Sequence, residues 1–219
     1  MTVNMTTIQL TDVVKDIKGK RIIDHVSLQM ESGKISGLKG VNGSGKTMLM
    51  RLIAGLITPT SGSILINGKR LGKDITFPES IGILIENPAF LDAYSGFDNL
   101  KMLASIQKKI TDDHIRETLS LVGLDPYDKK KYRKYSLGMK QRLGIAAAVM
   151  EDPDIVILDE PTNALDSDGV AMLKDILKRQ KERNALVVIS CHDLGTLKEL
   201  SDEIFLMESG ALKPYHEEE

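Results

Sequence analysis

The chain has 219 residues, enough for one large domain that buries its own core without staples, or for a core with a substantial insertion. Twenty-nine Lys and Arg against 31 Asp and Glu leave a net charge of −2, which excludes a nucleic-acid binder acting through bulk charge. The single Cys191 rules out an internal disulfide and suits a reducing cytosol, residues 1–20 lack the apolar core of a secretory signal, and no apolar run approaches the ~18 residues that cross a bilayer.

Ile8–Val14 and His25–Met30 alternate apolar and polar side chains, the pattern of antiparallel strands, with Gly19-Lys20 as a turn between them. Lys34–Leu38 is a short candidate strand, and directly after it comes Gly40-Val41-Asn42-Gly43-Ser44-Gly45-Lys46-Thr47. That stretch fits G-x-x-x-x-G-K-[ST], and the run Met48–Ala54 behind it is apolar nearly all round, as a buried helix is. Strand, loop and helix in this order form a phosphate cradle. The glycines let successive N–H groups turn inward on an anion, and the helix start adds partial positive charge. Lys46 would reach the β- and γ-phosphates and the Thr47 hydroxyl would hold Mg²⁺, so the chain binds a nucleotide.

Ser61–Ile66 gives another strand, closed by an Asn67-Gly68 turn, and Ile81–Ile85 is a buried strand ending at Glu86-Asn87-Pro88. From about Phe97 to Glu151 the character is helical: Asp98–Ala104, then Asp113–Leu119 capped by Thr111 and ended by Gly123 and Pro126. The basic run Lys129–Lys134 is a solvated face or a partner contact, and a third helix runs from near Gly138 through Ala148. A β/α rhythm then resumes with strand Ile155–Leu158, helix Val170–Leu177, strand Leu186–Ser190 and a last strand at Ile204–Met207, before a loose tail at His216–Glu219. Asp159-Glu160 and His192 each follow the end of a buried strand, which places them at the carboxyl edge of a parallel sheet, where ligands bind. Asp159 suits water-mediated Mg²⁺ binding, Glu160 could orient or deprotonate the attacking water, and His192 could contact the γ-phosphate.

In this order the motifs resemble the ATP-binding subunit of an ABC transporter over nearly the full length. The phosphate loop is residues 40–47, the second carboxylate motif Ile155–Glu160, the D-loop Ala164-Leu165-Asp166 and the switch histidine His192. Most specific is Tyr135-Ser136-Leu137-Gly138-Met139-Lys140-Gln141-Arg142, similar to the signature that opens LSGGQ. The resemblance implies a P-loop NTPase of α/β class: a mainly parallel sheet, an antiparallel N-terminal β layer and an inserted helical subdomain. It implies one ABC ATPase domain over 1–219, with 1–87 and 151–219 the ATP-binding core and 88–150 the helical signature subdomain. It implies ATP and Mg²⁺ as cofactors, with Gly40, Asn42, Gly43, Ser44, Gly45, Lys46, Thr47 and Met48 around the nucleotide. Lys46, Glu160 and His192 would be catalytic, and Thr47, Glu86 and Asp159 would face the metal. Ser136 and Gly138 would contact ATP held by an opposite subunit, with Asp166 near the same interface. The implied partners are a transmembrane permease subunit and a second copy or paralogous ATPase, at the cytoplasmic face of the membrane.

Three departures from the family pattern involve four positions. Leu137 and Met139 stand where Gly and Gln are usual, and Ile17 replaces an aromatic residue that stacks on adenine. Such stacking is worth about 1–3 kcal/mol per base, of which Ile recovers only part. Glu86 fills the position of the Q-loop glutamine, a feature that resembles exporters protecting bacteria against lantibiotics and bacitracin-like peptides. Two readings stay open beside transport: an ABC-type ATPase of a soluble machine such as metal-cluster assembly, and a small-molecule kinase built on the same loop.

Overall fold

The computed structural model describes residues 5–216, so the expected loose tail, apart from His216, lies outside the described residues. In chain order the elements are β1 Thr7–Ile17, β2 Lys20–Glu31, β3 Ile35–Lys39, α1 Lys46–Ile53, β4 Ser61–Ile66, β5 Lys69–Arg70 and β6 Ile81–Leu84. Then follow α2 Gly96–Gln107, α3 Asp112–Leu121, a 3₁₀ turn at Tyr132–Lys134, α4 Leu137–Val149 and β7 Ile155–Leu158. The chain closes with α5 Ser167–Glu182, β8 Leu186–Ser190, α6 Leu194–Leu200, β9 Glu203–Glu208 and β10 Ala211–Pro214.

A four-stranded antiparallel sheet has the order β2-β1-β4-β5, and a six-stranded sheet the order β10-β9-β3-β8-β7-β6. In the larger sheet every pair is parallel except β9 with β10. The first two strands are longer than their alternation shows, because register shifts after Leu10 and Val13 interrupt the two-residue period. Asp12 and His25 take left-handed backbone there, with φ of 50° and 51°. The turn between β1 and β2 is Lys18-Gly19, not Gly19-Lys20: both its residues have positive φ, and Lys20 already pairs with Ile17. Asn67-Gly68 turns β4 into β5 as expected, again with both φ values positive. β9 is not the last strand. Ser209 and Gly210, at φ 49° and 86°, reverse the chain into β10.

Two apolar clusters sit on the faces of the large sheet. One packs α1 between β3, β7 and β8 and the antiparallel layer. The other joins α2, α3 and α4 to the opposite face, with Val156, Leu158, Val187 and Ile189 of the strands meeting Leu100, Ile115 and Leu143 of the helices. Residues 88–150 therefore share the core of the sheet rather than building a separate one. The seam is close: a Cβ at Gly82 of β6 would overlap the carbonyl oxygen of Ala148 in α4. The three helices of this segment begin with side-chain caps, a reciprocal capping box between Ser95 and Asp98 for α2, Thr111 for α3 and Ser136 for α4. Among the described residues no helix is long and apolar enough to cross a membrane.

Candidate nucleotide site

The loop of residues 40–47 leaves the end of β3 and delivers the chain into α1 at Lys46. Its glycines are required by what surrounds them. A Cβ on Gly40 would lie 2.5 Å from both the Ser44 hydroxyl and the Met207 carbonyl oxygen, and Gly45 sits at φ +116° with the Ile22 carbonyl 3.0 Å from where its Cβ would be. The loop is also pinned from a distance. Gly210 of the β9–β10 turn donates its N–H to Ser44 O at 3.0 Å, and Asp24 of β2 donates to Gly210 O at 2.9 Å. The buried Ser44 hydroxyl has no hydrogen-bond partner. Asn42 and Gly43 are exposed at the rim, and Met48 is half-buried on α1.

Lys46 is buried and donates from Nζ to Gly40 O at 2.7 Å, so its ammonium is folded back over the loop. The Thr47 hydroxyl donates to Asp159 Oδ2 at 2.6 Å. Asp159 follows β7 and its N–H donates to Leu84 O of β6 at 2.7 Å. Its other oxygen accepts the hydroxyl of Ser190 at 2.5 Å, and the same Ser190 oxygen accepts the Glu160 N–H at 2.8 Å. Glu160 Oε1 lies 3.6 Å from Lys46 Nζ, and Oε2 lies 2.8 Å from His192 Nδ1. Oε1 is buried without a hydrogen bond, and Glu160 carries left-handed backbone at φ 49°. Strained backbone and a buried oxygen without a hydrogen bond in one residue are concentrated where chemistry needs a poised carboxylate.

Lys46, Thr47, Asp159, Glu160 and His192, spread over nearly 150 positions of sequence, thus meet at one sheet edge. Ser136 and Gly138 sit elsewhere. Ser136 caps α4 by accepting the Met139 N–H at 3.2 Å, and it is exposed. The helix behind it is strapped to the segment after β7. Gln141 donates to the carbonyls of Glu160 and Pro161 at 3.3 and 3.1 Å, Arg142 reaches Asp166 at 3.2 Å, and a Cβ on Gly138 would come 2.9 Å from Ala164 O. The backbone N–H of Gly169, and Arg142 beside it, hold the Asp166 carboxyl below its usual range. Ile17 ends β1, partly exposed at the tip of the hairpin. Glu86 is not found against the loop: its carboxylate is bonded to Arg51 Nη2 at 2.7 Å.

Sequence reasoning missed Ser190, Gln141 and Arg51. Ser190 had one signal, a polar residue ending an apolar run two positions before His192. Gln141 and Arg142 lie inside the signature motif, but their role as straps depends on where α4 lands. Arg51 had no signal at all, since its partner is 35 positions away.

A family model described as ABC transporter matches residues 23–163. The chain is 48% identical to an uncharacterized ABC transporter ATP-binding protein of Bacillus subtilis (YybJ), over 94% of each. It is 39% identical to a bacitracin transport ATP-binding protein of Bacillus licheniformis (BcrA), over 94% of this chain and 68% of that one. Among solved structures, an ATP binding subunit of an ABC transporter matches with a TM-score of 0.84 at 25% identity, covering 94% of this chain and 88% of that chain. The cassette MJ0796, solved as a dimer bound to ADP and Pi, matches in fold with a TM-score of 0.86 at 22% identity, covering 96% and 100%. With the family model matching most of the chain and the Bacillus subtilis likeness running nearly end to end, the protein belongs to the ABC transporter family, as an ATP-binding transport ATPase rather than a small-molecule kinase or the ATPase of a soluble machine.

Proposed function

We propose that two ATP-binding subunits, this chain and a second copy or a paralogue, close around shared ATP, and that closure moves a membrane-spanning permease docked on residues 88–150. The observation that carries this reading is the continuous contact path from Lys46 through Glu160 to His192, lying beside the Thr47–Asp159–Ser190 path. The N–H groups of residues 40–47 and the Lys46 ammonium bind the β- and γ-phosphates, and Met48 and Ile17 line the rest of the nucleotide. Glu160 orients the attacking water and takes its proton. His192, held by Glu160, contacts the γ-phosphate and keeps that carboxylate aimed. Ser136, Gly138 and Asp166 belong to the second subunit's nucleotide, because the straps of α4 fix them at the far end of the segment after β7.

The donor set fits Mg²⁺. Thr47 and Asp159 offer one hydroxyl and one carboxylate already in contact, hard oxygen ligands of the kind Mg²⁺ takes while keeping several waters. When bound, the ion neutralises charge developing on the transferred phosphoryl group. Glu86 would supply a further carboxylate toward it only after leaving Arg51, to which it is bonded at 2.7 Å.

The permease reading rests on surface. A cavity of about 330 Å³ opens between the core and the helices, lined by Arg51, Leu56, Pro88, Phe90 and Leu103 among others. Membrane attachment at the cytoplasmic face runs through that partner. The cargo we infer is a peptide antibiotic, supported by the bacitracin transport relative and by Glu86. One variant tests the whole: Glu160→Gln should bind ATP, accumulate as an ATP-bound dimer, and hydrolyse about 10²- to 10⁴-fold more slowly. Cells carrying it should lose resistance to bacitracin-like peptides. Near-normal turnover would remove Glu160 from its role, and unchanged resistance would remove the cargo.

A further inference from the structure

Arg51 and Glu86 form an ion pair that the nucleotide chemistry above does not use. Arg51 lies four residues after Thr47 on α1, one turn along the same face. Glu86 leaves β6 two residues past Leu84, whose carbonyl accepts the Asp159 N–H at 2.7 Å. Asp159 and Glu86 therefore follow the ends of adjacent parallel strands, β7 and β6, at one sheet edge, and Glu86 meets the helix that starts at the phosphate loop through Arg51. Asp159 is buried and bonded to Thr47 and Ser190; the Glu86 carboxylate has Arg51 alone, at 2.7 Å. Glu86 is also held in left-handed backbone at φ 63°, an arrangement that costs energy in a residue with a side chain.

A free carboxylate at this edge repels a triphosphate that carries no metal, and attracts one that does. Pairing with a guanidinium silences the charge. The pair is exposed, at 33% for the Arg51 side chain and 60% for Glu86, so it holds weakly and can be exchanged at small cost. Resting on the reading of Glu86 as a metal-facing carboxylate, we propose that Arg51 is a positioning residue that parks Glu86 away from the triphosphate and releases it when Mg²⁺ enters.

The test reads binding, not turnover. A fluorescent ATP analogue is titrated onto the full chain in EDTA and in Mg²⁺, and the ratio of the two dissociation constants is taken. In Arg51→Met the ratio should rise by roughly three- to tenfold, mainly through weaker binding in EDTA. Arg51→Lys should keep the wild-type ratio, since the charge is retained. In the Glu86→Gln background Arg51→Met should leave the ratio unmoved, because both affinities fall together or not at all. A ratio in Arg51→Met within twofold of wild type, or an equal rise in the Glu86→Gln background, overturns the inference alone. A wild-type ratio near one overturns the metal reading and this inference with it. Thermal unfolding of each variant accompanies the titrations, and both side chains being exposed, midpoints should stay close to wild type.

Discussion

The sheet edge proposed to hold the nucleotide and the helical segment 88–150 differ in how completely each satisfies itself. At the edge, nearly every polar side chain is spoken for: Thr47, Asp159, Ser190, Glu160, His192 and Lys46 form one connected group, and Ser44 Oγ and Glu160 Oε1 are buried without a hydrogen bond. The helical segment satisfies its backbone with caps but leaves its surface open. Among the described residues, seven of the 13 exposed large apolar side chains lie in 88–150, which is under a third of the chain. The same segment carries 11 Lys and Arg against seven Asp and Glu, whereas the remaining residues carry 18 against 24. A region that closes on itself is built for a small ligand with fixed geometry. A region that leaves apolar and cationic surface exposed suits the large partner proposed above.

Three changes sharpen that contrast, beyond the carboxylate and ion-pair variants above. The largest effect should come at the seam. Gly82→Ala places a Cβ into the Ala148 carbonyl of α4, backbone against backbone, and should cost about 3 kcal/mol or more in urea unfolding. An unfolding midpoint equal to wild type would mean that sheet and helices are not packed as described. Next is the self-satisfied edge. Ser190 is fully buried and serves Asp159 and Glu160 at once, so Ser190→Ala should lose about 1–3 kcal/mol and lower ATP turnover together. Loss of stability with unchanged turnover would confine Ser190 to a packing role. The smallest effect on the fold belongs to the open region. Ile106 is 77% exposed on α2, and Ile106→Ser should leave stability within about 0.5 kcal/mol while weakening co-purification of the permease from membranes. Retained co-purification would move the docking surface away from this face of α2.

Burial explains two further features of the helical segment. The Tyr132 and Tyr135 phenols are pushed up by burial, and both are used as anchors: Tyr132 donates its hydroxyl to Pro88 O at 2.5 Å, and the Tyr135 hydroxyl accepts the Gly96 N–H at 3.2 Å. These bonds tie the stretch just before Ser136 to the entrance of α2. The basic run Lys129–Lys134 is therefore not uniform. Its lysines face solvent, but Tyr132 within it points inward against Phe90 and Tyr135.

What the amino-acid order determined by itself was everything carried by local spacing. The phosphate loop between strand and helix, the apolar runs of β7 and β8 with their terminal carboxylates and histidine, and the Asn67-Gly68 turn all follow from backbone preferences and two- or four-residue periods acting within a few positions. Tertiary structure alone decided the rest, because those facts depend on contacts between distant segments that no local period encodes. Gly210 supports Ser44 across more than 160 positions, Ser190 joins the Asp159 carboxylate to the Glu160 backbone N–H from a neighbouring strand, and Glu86 pairs with Arg51. The bulged pairing of β1 and β2 and the β9–β10 reversal were hidden for the same reason. A register shift or a short edge strand is fixed by its partner strand, and the partner is known only once the sheet has formed.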